Sequence, residues 1–247
     1  MTRLFLDRSI QKERVIHLTG EKAHYISAVL RCKIHDPLIV TDSTGTAYSA
    51  QISAITKKLA AIEILEPFNQ DNESPLDIVL VQGLLKGEKM DLVIQKATEL
   101  GVKEIAPVVT ERSQVRETRK LQRWQKIAEE ASRQCGRNMI PLIHEPAAYE
   151  AALAGQDRGR GIICWEKGQA PFSAAADAFK GEKKIVLCIG PEGGFSEKEV
   201  KTAKGCGLTI ASLGRRILRA ETAALTAVAL AQYVLGDLSD SNSTPAN

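Results

Sequence analysis

The sequence predicts an α/β fold, a parallel sheet covered on both faces, preceded by a small β-rich barrel domain carrying one helix. Three observations predict it. From Leu76 to Leu235, short apolar runs alternate with stretches of helical periodicity, and such alternation puts helices on both faces of a parallel sheet. Before Glu66 the periodicity is that of strands, with a single helical exception. Between the two regions lies Phe68-Asn69-Gln70-Asp71-Asn72-Glu73-Ser74-Pro75, a polar, proline-ended break that reads as a domain linker. The domains are therefore expected at 1–70 and 75–240.

In the first domain, Glu21 to Leu30 is the one short helix. Pro37-Leu38-Ile39-Val40 is a strand, Asp42-Ser43-Thr44-Gly45 a turn, and the alternating segment through Ile52 and Ile55 a second strand. Ala60 to Leu65 is a third, with Ile62 and Ile64 on one face. In the second domain, Leu76 to Val81, Ile105 to Val109, Gly161 to Trp165, Ile185 to Ile189 and Leu208 to Leu213 read as strands. Glu88 to Leu100, Leu121 to Cys135 and Glu221 to Leu235 read as helices. Ser196-Glu197-Lys198-Glu199 is a capping box that opens another. From Ser239 onward the chain is polar and expected to fray.

Composition narrows the function classes. The 247 residues are 44% hydrophobic and 26% charged, as in an ordinary globular protein. Basic residues number 33 against 30 acidic, a net charge of +3 that is too small to prove a nucleic-acid partner. The longest uncharged stretch, between Glu221 and Asp237, is alanine-rich and shorter than a membrane span. Leu4-Phe5-Leu6 is too short for a secretory signal. Five widely spaced cysteines without a Cys-x-x-Cys argue for a reducing cytosol, and no metal-ligand spacing is present.

Two strand-to-helix connections carry unusual residues. Ile189-Gly190-Pro191-Glu192-Gly193-Gly194-Phe195-Ser196 is glycine-rich and opens a helix, yet it matches neither the P-loop nor the dinucleotide fingerprint. Spacing alone leaves it either a ligand loop or an ordinary tight connection. Leu213-Gly214-Arg215-Arg216-Ile217-Leu218-Arg219-Ala220-Glu221-Thr222 mixes three arginines with apolar residues. In open α/β sheets ligands bind beyond the carboxyl ends of the strands, where both loops are expected. Glu166, just past a strand end, is a further candidate carboxylate. From Arg112 to Arg137, eight basic residues face three acidic ones, which suits RNA phosphates or a solvated helix face.

Taken together, Gly83-Leu84-Leu85-Lys86-Gly87-Glu88-Lys89-Met90, Gln95-Lys96-Ala97-Thr98-Glu99-Leu100-Gly101-Val102 and the two loops just quoted resemble the 16S ribosomal RNA uridine-N3 methyltransferases, the RsmE branch of the SPOUT superfamily. At the N-terminus, Arg3-Leu4-Phe5 and His24 through Val29-Leu30-Arg31 resemble that family's PUA-like RNA-binding domain. The resemblance implies a SPOUT-type parallel sheet whose C-terminal segment threads a trefoil knot. It implies S-adenosylmethionine bent in the knot between the two loops, a homodimer, and a target uridine in the decoding region of 16S rRNA in the 30S subunit.

On that footing the cofactor-binding residues are expected to be Leu187, Ile189, Leu213 and Leu218, framing an apolar adenine slot, and Gly190 and Gly194, permitting close approach, with Gly214, Ile217 and Thr222 in the second loop. A sulfonium carries its own electrophilic methyl group, so neither metal nor nucleophilic thiol is needed. Uracil N3–H is weakly acidic, so transfer requires a cation beside the forming anion. Arg219 is the first candidate, Arg216 the second, and Glu192 a weaker one for ordering the loop or accepting the proton. Arg3, Arg8 and Arg31 in the small domain, with Arg112 and Arg123 in the basic segment, are the expected RNA contacts. Two alternatives stay open: a SPOUT enzyme with another RNA target, and a non-catalytic RNA-binding or ribosome-assembly factor.

Overall fold

A computed structural model describes residues 2–70, 72–155 and 160–239. All but the first residue of the tail expected to fray lies outside the described residues. The chain divides into two compact units, Met1–Glu73 with Ser132–Met139, and Ser74–Ala131 with Ile140–Asn247. The second domain was expected to run uninterrupted from 75 to 240, whereas residues 132–139 group with the first unit.

In the first unit, β1 (Thr2–Phe5), β3 (Pro37–Thr41), β4 (Ala47–Ile55), β5 (Leu59–Pro67) and β2 (Val15–Thr19) form one sheet in that spatial order. β1 and β3 are parallel and the other pairs antiparallel. β1 and β2 stand at the two edges and are not paired with each other among the described residues, so the expected barrel is an open one. Helix α1 (Gly20–His24) runs on as a π-turn over Tyr25–Val29, and its Ala23 and Ile26 pack into the same core as Leu4, Leu18, Val40 and Ile62. The turn after β3 is locked by Asp42, whose Oδ1 accepts from the Thr44 backbone N–H at 2.9 Å. Glu73 is one of the residues that tie 132–139 to this unit. Its carboxylate accepts from Arg137 Nη2 at 2.6 Å and from the backbone N–H groups of Asn138 and Met139 at 2.9 and 3.0 Å.

The second unit is built on β6 (Asp77–Gly83), β7 (Glu104–Val109), β8 (Leu142–Ile143), β9 (Ala147–Ala148), β10 (Gly161–Cys164), β11 (Lys184–Ile189) and β12 (Thr209–Ala211). The spatial order is β12-β10-β11-β6-β7-β8, with β9 also on β7, and every pairing is parallel. Helices α2 (Lys89–Glu99), α3 (Leu121–Cys135), α4 (Tyr149–Ala154), α5 (Phe172–Asp177), α6 (Glu197–Gly205) and α7 (Ala220–Leu235) connect them. Successive strand residues serve opposite faces. Ile78 and Leu80 of β6 and Leu187 of β11 pack with Val93, Ala97, Ala224 and Val228 of α2 and α7. Val79, Val81 and Val186 pack with Tyr149, Leu153, Val200 and Ala203 of α4 and α6. Ala220, Ala224, Ala227 and Ala231 of α7 are therefore core, and its buried Gln232 donates to the Leu100 carbonyl at 2.9 Å, closing the end of α2. Parallel pairing brings the loops after β6, β10, β11 and β12 to one edge of the sheet, which is where a site can form.

Candidate functional site

A cavity of about 550 Å³ opens at that edge. Its wall comprises Cys164, Trp165 and Glu166 after β10, residues 189–195 after β11, Ser212 to Ala220 without Arg215 after β12, Ala223 of α7, and Lys89 from α2. The two loops read from the sequence as unusual thus meet in one place, together with the candidate carboxylate Glu166 and with Lys89, which was not read as part of the site.

The glycine loop is held from every side. Ser196 and Glu199 form the expected capping box, with Ser196 N–H donating to Glu199 Oε2 at 2.8 Å. The other oxygen of Glu199 accepts from the Glu111 backbone N–H at 2.8 Å. Phe195 packs its ring against Tyr149, 5.3 Å between centroids. Arg112 Nη1 donates to the Gly193 carbonyl at 3.2 Å. Gly83 approaches Pro191 so closely that a Cβ there would lie 2.4 Å from the Pro191 nitrogen. Gly194 has φ +68°, a left-handed conformation open to glycine at little cost; a Cβ on it would sit 3.5 Å from the Glu166 carboxylate.

Glu192 is tied into the same lattice. Its Oε1 accepts from the Lys86 backbone N–H at 3.1 Å and from Lys89 Nζ at 3.0 Å. Burial pushes its carboxyl up, but its own and the Lys86 backbone N–H groups and the Lys89 ammonium outweigh burial and hold it below the ordinary glutamate range. Bonded in this way, the carboxylate is placed for loop ordering, one of the two tasks the sequence left open for it. The arginine loop is different. Arg216 and Arg219 face the cavity, and among the described residues neither side chain has a hydrogen-bond or ion-pair partner. Ile217 is 88% exposed.

Of the expected cofactor-binding residues, Ile189, Gly190, Gly194, Leu213, Gly214, Ile217 and Leu218 line the cavity. Leu187 does not. It shares a strand face with Ile189 and packs in the core against α2 and α7, but it lies two residues back from the strand end where the cavity opens. Thr222 is exposed and also off the wall, since helical geometry presents Ala220 and Ala223 there instead. Lys89, Cys164, Trp165 and Ser212 were missed. Lys89 lay in a quoted motif, but nothing in spacing indicates that the β6 loop reaches the β11 loop.

The expected RNA contacts separate by what they already touch. Arg3 is buried, donates to Asn138 Oδ1 at 2.6 Å and stacks over Phe68 at 5.7 Å; it is a structural arginine, and phosphates cannot reach it. Arg137 of the basic segment is likewise buried against Glu73. Arg8 is exposed but paired in two bonds with Glu13. Arg123 donates to Asp91 at 2.8 Å beside Trp124, and Arg112 supports the glycine loop. Arg31 is exposed, with φ +55° and no partner among the described residues.

Known proteins match over nearly the whole chain. Residues 72–232 match the profile of an RNA methyltransferase domain, and residues 18–65 that of an RNA methyltransferase PUA domain. A ribosomal RNA small subunit methyltransferase E from Buchnera aphidicola is 35% identical, over 95% of this chain and 94% of its own. Its namesake from Bacillus subtilis is 30% identical, over 94% and 96%. The crystal structure of a ribosomal RNA small subunit methyltransferase E from Neisseria gonorrhoeae, bound to S-adenosyl methionine, superposes with a TM-score of 0.88 at 34% identity, covering 96% of this chain and 99% of that one. Profile, sequence and fold agree along the chain, which belongs to the ribosomal RNA small subunit methyltransferase E family of RNA methyltransferases.

Proposed function

We propose that the chain methylates N3 of a uridine in the decoding region of 16S rRNA, with S-adenosylmethionine as donor. It would do so in the cytoplasm, on the 30S subunit, as a homodimer whose C-terminal segment is knotted. The observation that carries the proposal is the convergence of the glycine and arginine loops on one cavity, in a member of a small-subunit rRNA methyltransferase family.

The cavity suits the donor. Its volume falls within the roughly 300–1,000 Å³ of small-molecule sites. Ile189, Leu213 and Leu218 offer apolar surface to a purine, while Gly190, Gly194 and Gly214 bring backbone to the wall with no side chain of their own in the way. When bound, the donor supplies an electrophilic methyl group on a sulfonium. This chain's residues then have two tasks. Arg219 stabilises the negative charge on the uracil as its N3 proton leaves to solvent, with Arg216 contacting the same nucleotide or its phosphate. Glu192 and Arg112 hold the glycine loop in shape. Covalent catalysis through a thiol is disfavoured, because burial pushes Cys164 up to about 12 and keeps it protonated.

The homodimer is proposed from the family resemblance. Sedimentation should give about twice 26.9 kDa; a fully active monomer would refute the dimer. The function itself is tested by mapping N3-methyluridine in 16S rRNA from cells lacking the gene. Loss of that one modification, restored by the wild-type gene, is expected. Its persistence would overturn the proposal.

A further inference from the structure

The strand order places cavity cations on both sides of the glycine loop, and the one on the β6 side, Lys89, has no part in the reaction yet. β6 adjoins β11 on one flank, whereas β12 lies two strands away on the other. Arg216 and Arg219 follow β12, Lys89 follows β6, and all three line the cavity. Lys89 is the first residue of α2, a helix without a side-chain cap. The helix dipole disfavours a positive charge at that end, so its position there calls for a reason. Glu192 compensates by accepting one hydrogen bond from Nζ, which leaves two of the three ammonium protons for other acceptors. The side chain remains 39% exposed.

We propose that Lys89 is a second catalytic cation, which donates to one carbonyl oxygen of the target uracil while Arg219 serves the other. This rests on the uridine-N3 reading above. Departure of the N3 proton to solvent leaves a charge spread over N3, O2 and O4. The two oxygens lie on opposite sides of N3, so a guanidinium entering from the β12 flank reaches only one of them. Lys89 enters from the β6 flank, where the second oxygen would lie. The N3–carbon bond forms as the sulfur–carbon bond breaks, and the electron pair of the broken bond stays on sulfur. Anion and sulfonium thus become a neutral base and a neutral thioether, with one proton released. The Glu192 carboxylate fixes the ammonium in place and is not itself the proton acceptor.

Single-turnover methyl transfer to 30S subunits, at saturating RNA and donor and from neutral to alkaline pH, tests this. Lys89→Met should lose about 100-fold near neutrality, the lower end of what losing one preorganised donor costs. The gap should narrow as pH rises, because hydroxide then removes the proton without help. Lys89→Arg should keep most of the rate, and donor affinity by calorimetry should change less than about twofold in both variants. The proposal is overturned by a Lys89→Met rate within about twofold of wild type, by a loss that is constant with pH and shared by Lys89→Arg, or by a loss cured with more RNA. The wild-type product separates the two levels. Methylation at another atom overturns the uridine-N3 reading, whereas N3-methyluridine from an unimpaired Lys89→Met variant overturns only the role of Lys89.

Discussion

Residues 190–195 and residues 212–219, Arg215 excepted, wall the same cavity, but the first loop is bonded to several neighbouring segments and the second almost only to itself. Gln82 reaches the Gly190 carbonyl at 3.4 Å, Lys86 and Lys89 hold Glu192, Arg112 holds Gly193, and Tyr149 backs Phe195. In the second loop Ser212 bonds Gly214 and the Ala170 carbonyl, while the side chains of Arg215, Arg216 and Arg219 have no partner among the described residues. A loop fixed in advance adds little ordering cost when a ligand binds. A loop with unspent charges supplies interactions to whatever arrives, and its ordering is deferred to that moment. The glycine loop is therefore expected to govern stability and donor affinity, and the arginine loop the reaction and the RNA.

The largest expected effect tests the second half of that division. Arg219→Ala should lower the single-turnover rate by about 10²-fold or more, as loss of one preorganised electrostatic donor does, with donor affinity nearly unchanged. A near wild-type rate would refute a chemical role for Arg219, and a defect rescued by more RNA would make it a binding residue.

Gly83→Ala tests the first half. The added Cβ would meet backbone of the glycine loop at 2.4 Å, so the loop must shift. Overpacking of this kind costs about 1–3 kcal/mol, readable in denaturant unfolding, and donor affinity should fall with it by calorimetry. Gly194→Ala is the milder companion. Its Cβ has room, but its φ of +68° costs about 1 kcal/mol in a non-glycine residue. Unchanged donor affinity in both variants would detach the glycine loop from the site.

How legible this was differs along the chain. The helix over Leu121–Cys135 matches the structure residue for residue, since its apolar spacing is long and regular. The capping box was readable because four consecutive residues carry it. β1 and β2 were not read as strands, being only four and five residues long and bounded by no clear turn signal. α4 and α5 are single-turn-scale helices of six residues each, too short for periodicity to separate from loop. In the site, both strand-end loops were legible from composition, but Lys89 and Trp165 were not, because their proximity depends on strand order. Arg3 illustrates the opposite failure: composition marks an arginine as a contact for phosphate, and only burial shows it already spent.

That contrast between spent and free cations extends to the first unit. Arg31→Ala should reduce the salt slope of RNA binding by roughly 0.7–1, one phosphate's worth, and leave unfolding curves in place. Arg3→Ala should instead leave the buried Asn138 amide oxygen without its donor and cost about 1–3 kcal/mol of stability, with the salt slope of the folded protein unchanged. Exchanged outcomes would show that exposure does not decide which arginines meet RNA.

The smallest effect separates order from stability inside the glycine loop. The Lys89–Glu192 pair is partly exposed on both sides, and such pairs contribute only about 0–1 kcal/mol. Glu192→Gln keeps the shape of the side chain and removes its charge. The folded carboxyl lies below its ordinary value, so its contribution is complete above the unfolded pKa and is lost as pH falls through the folded one. Stability of wild type and Glu192→Gln should accordingly differ by less than about 1 kcal/mol at neutral pH and converge in acid. Urea unfolding at neutral and acidic pH measures both. A difference that widens in acid would mean that the carboxyl is destabilised by its burial, and that the glycine loop is held by its backbone contacts despite Glu192.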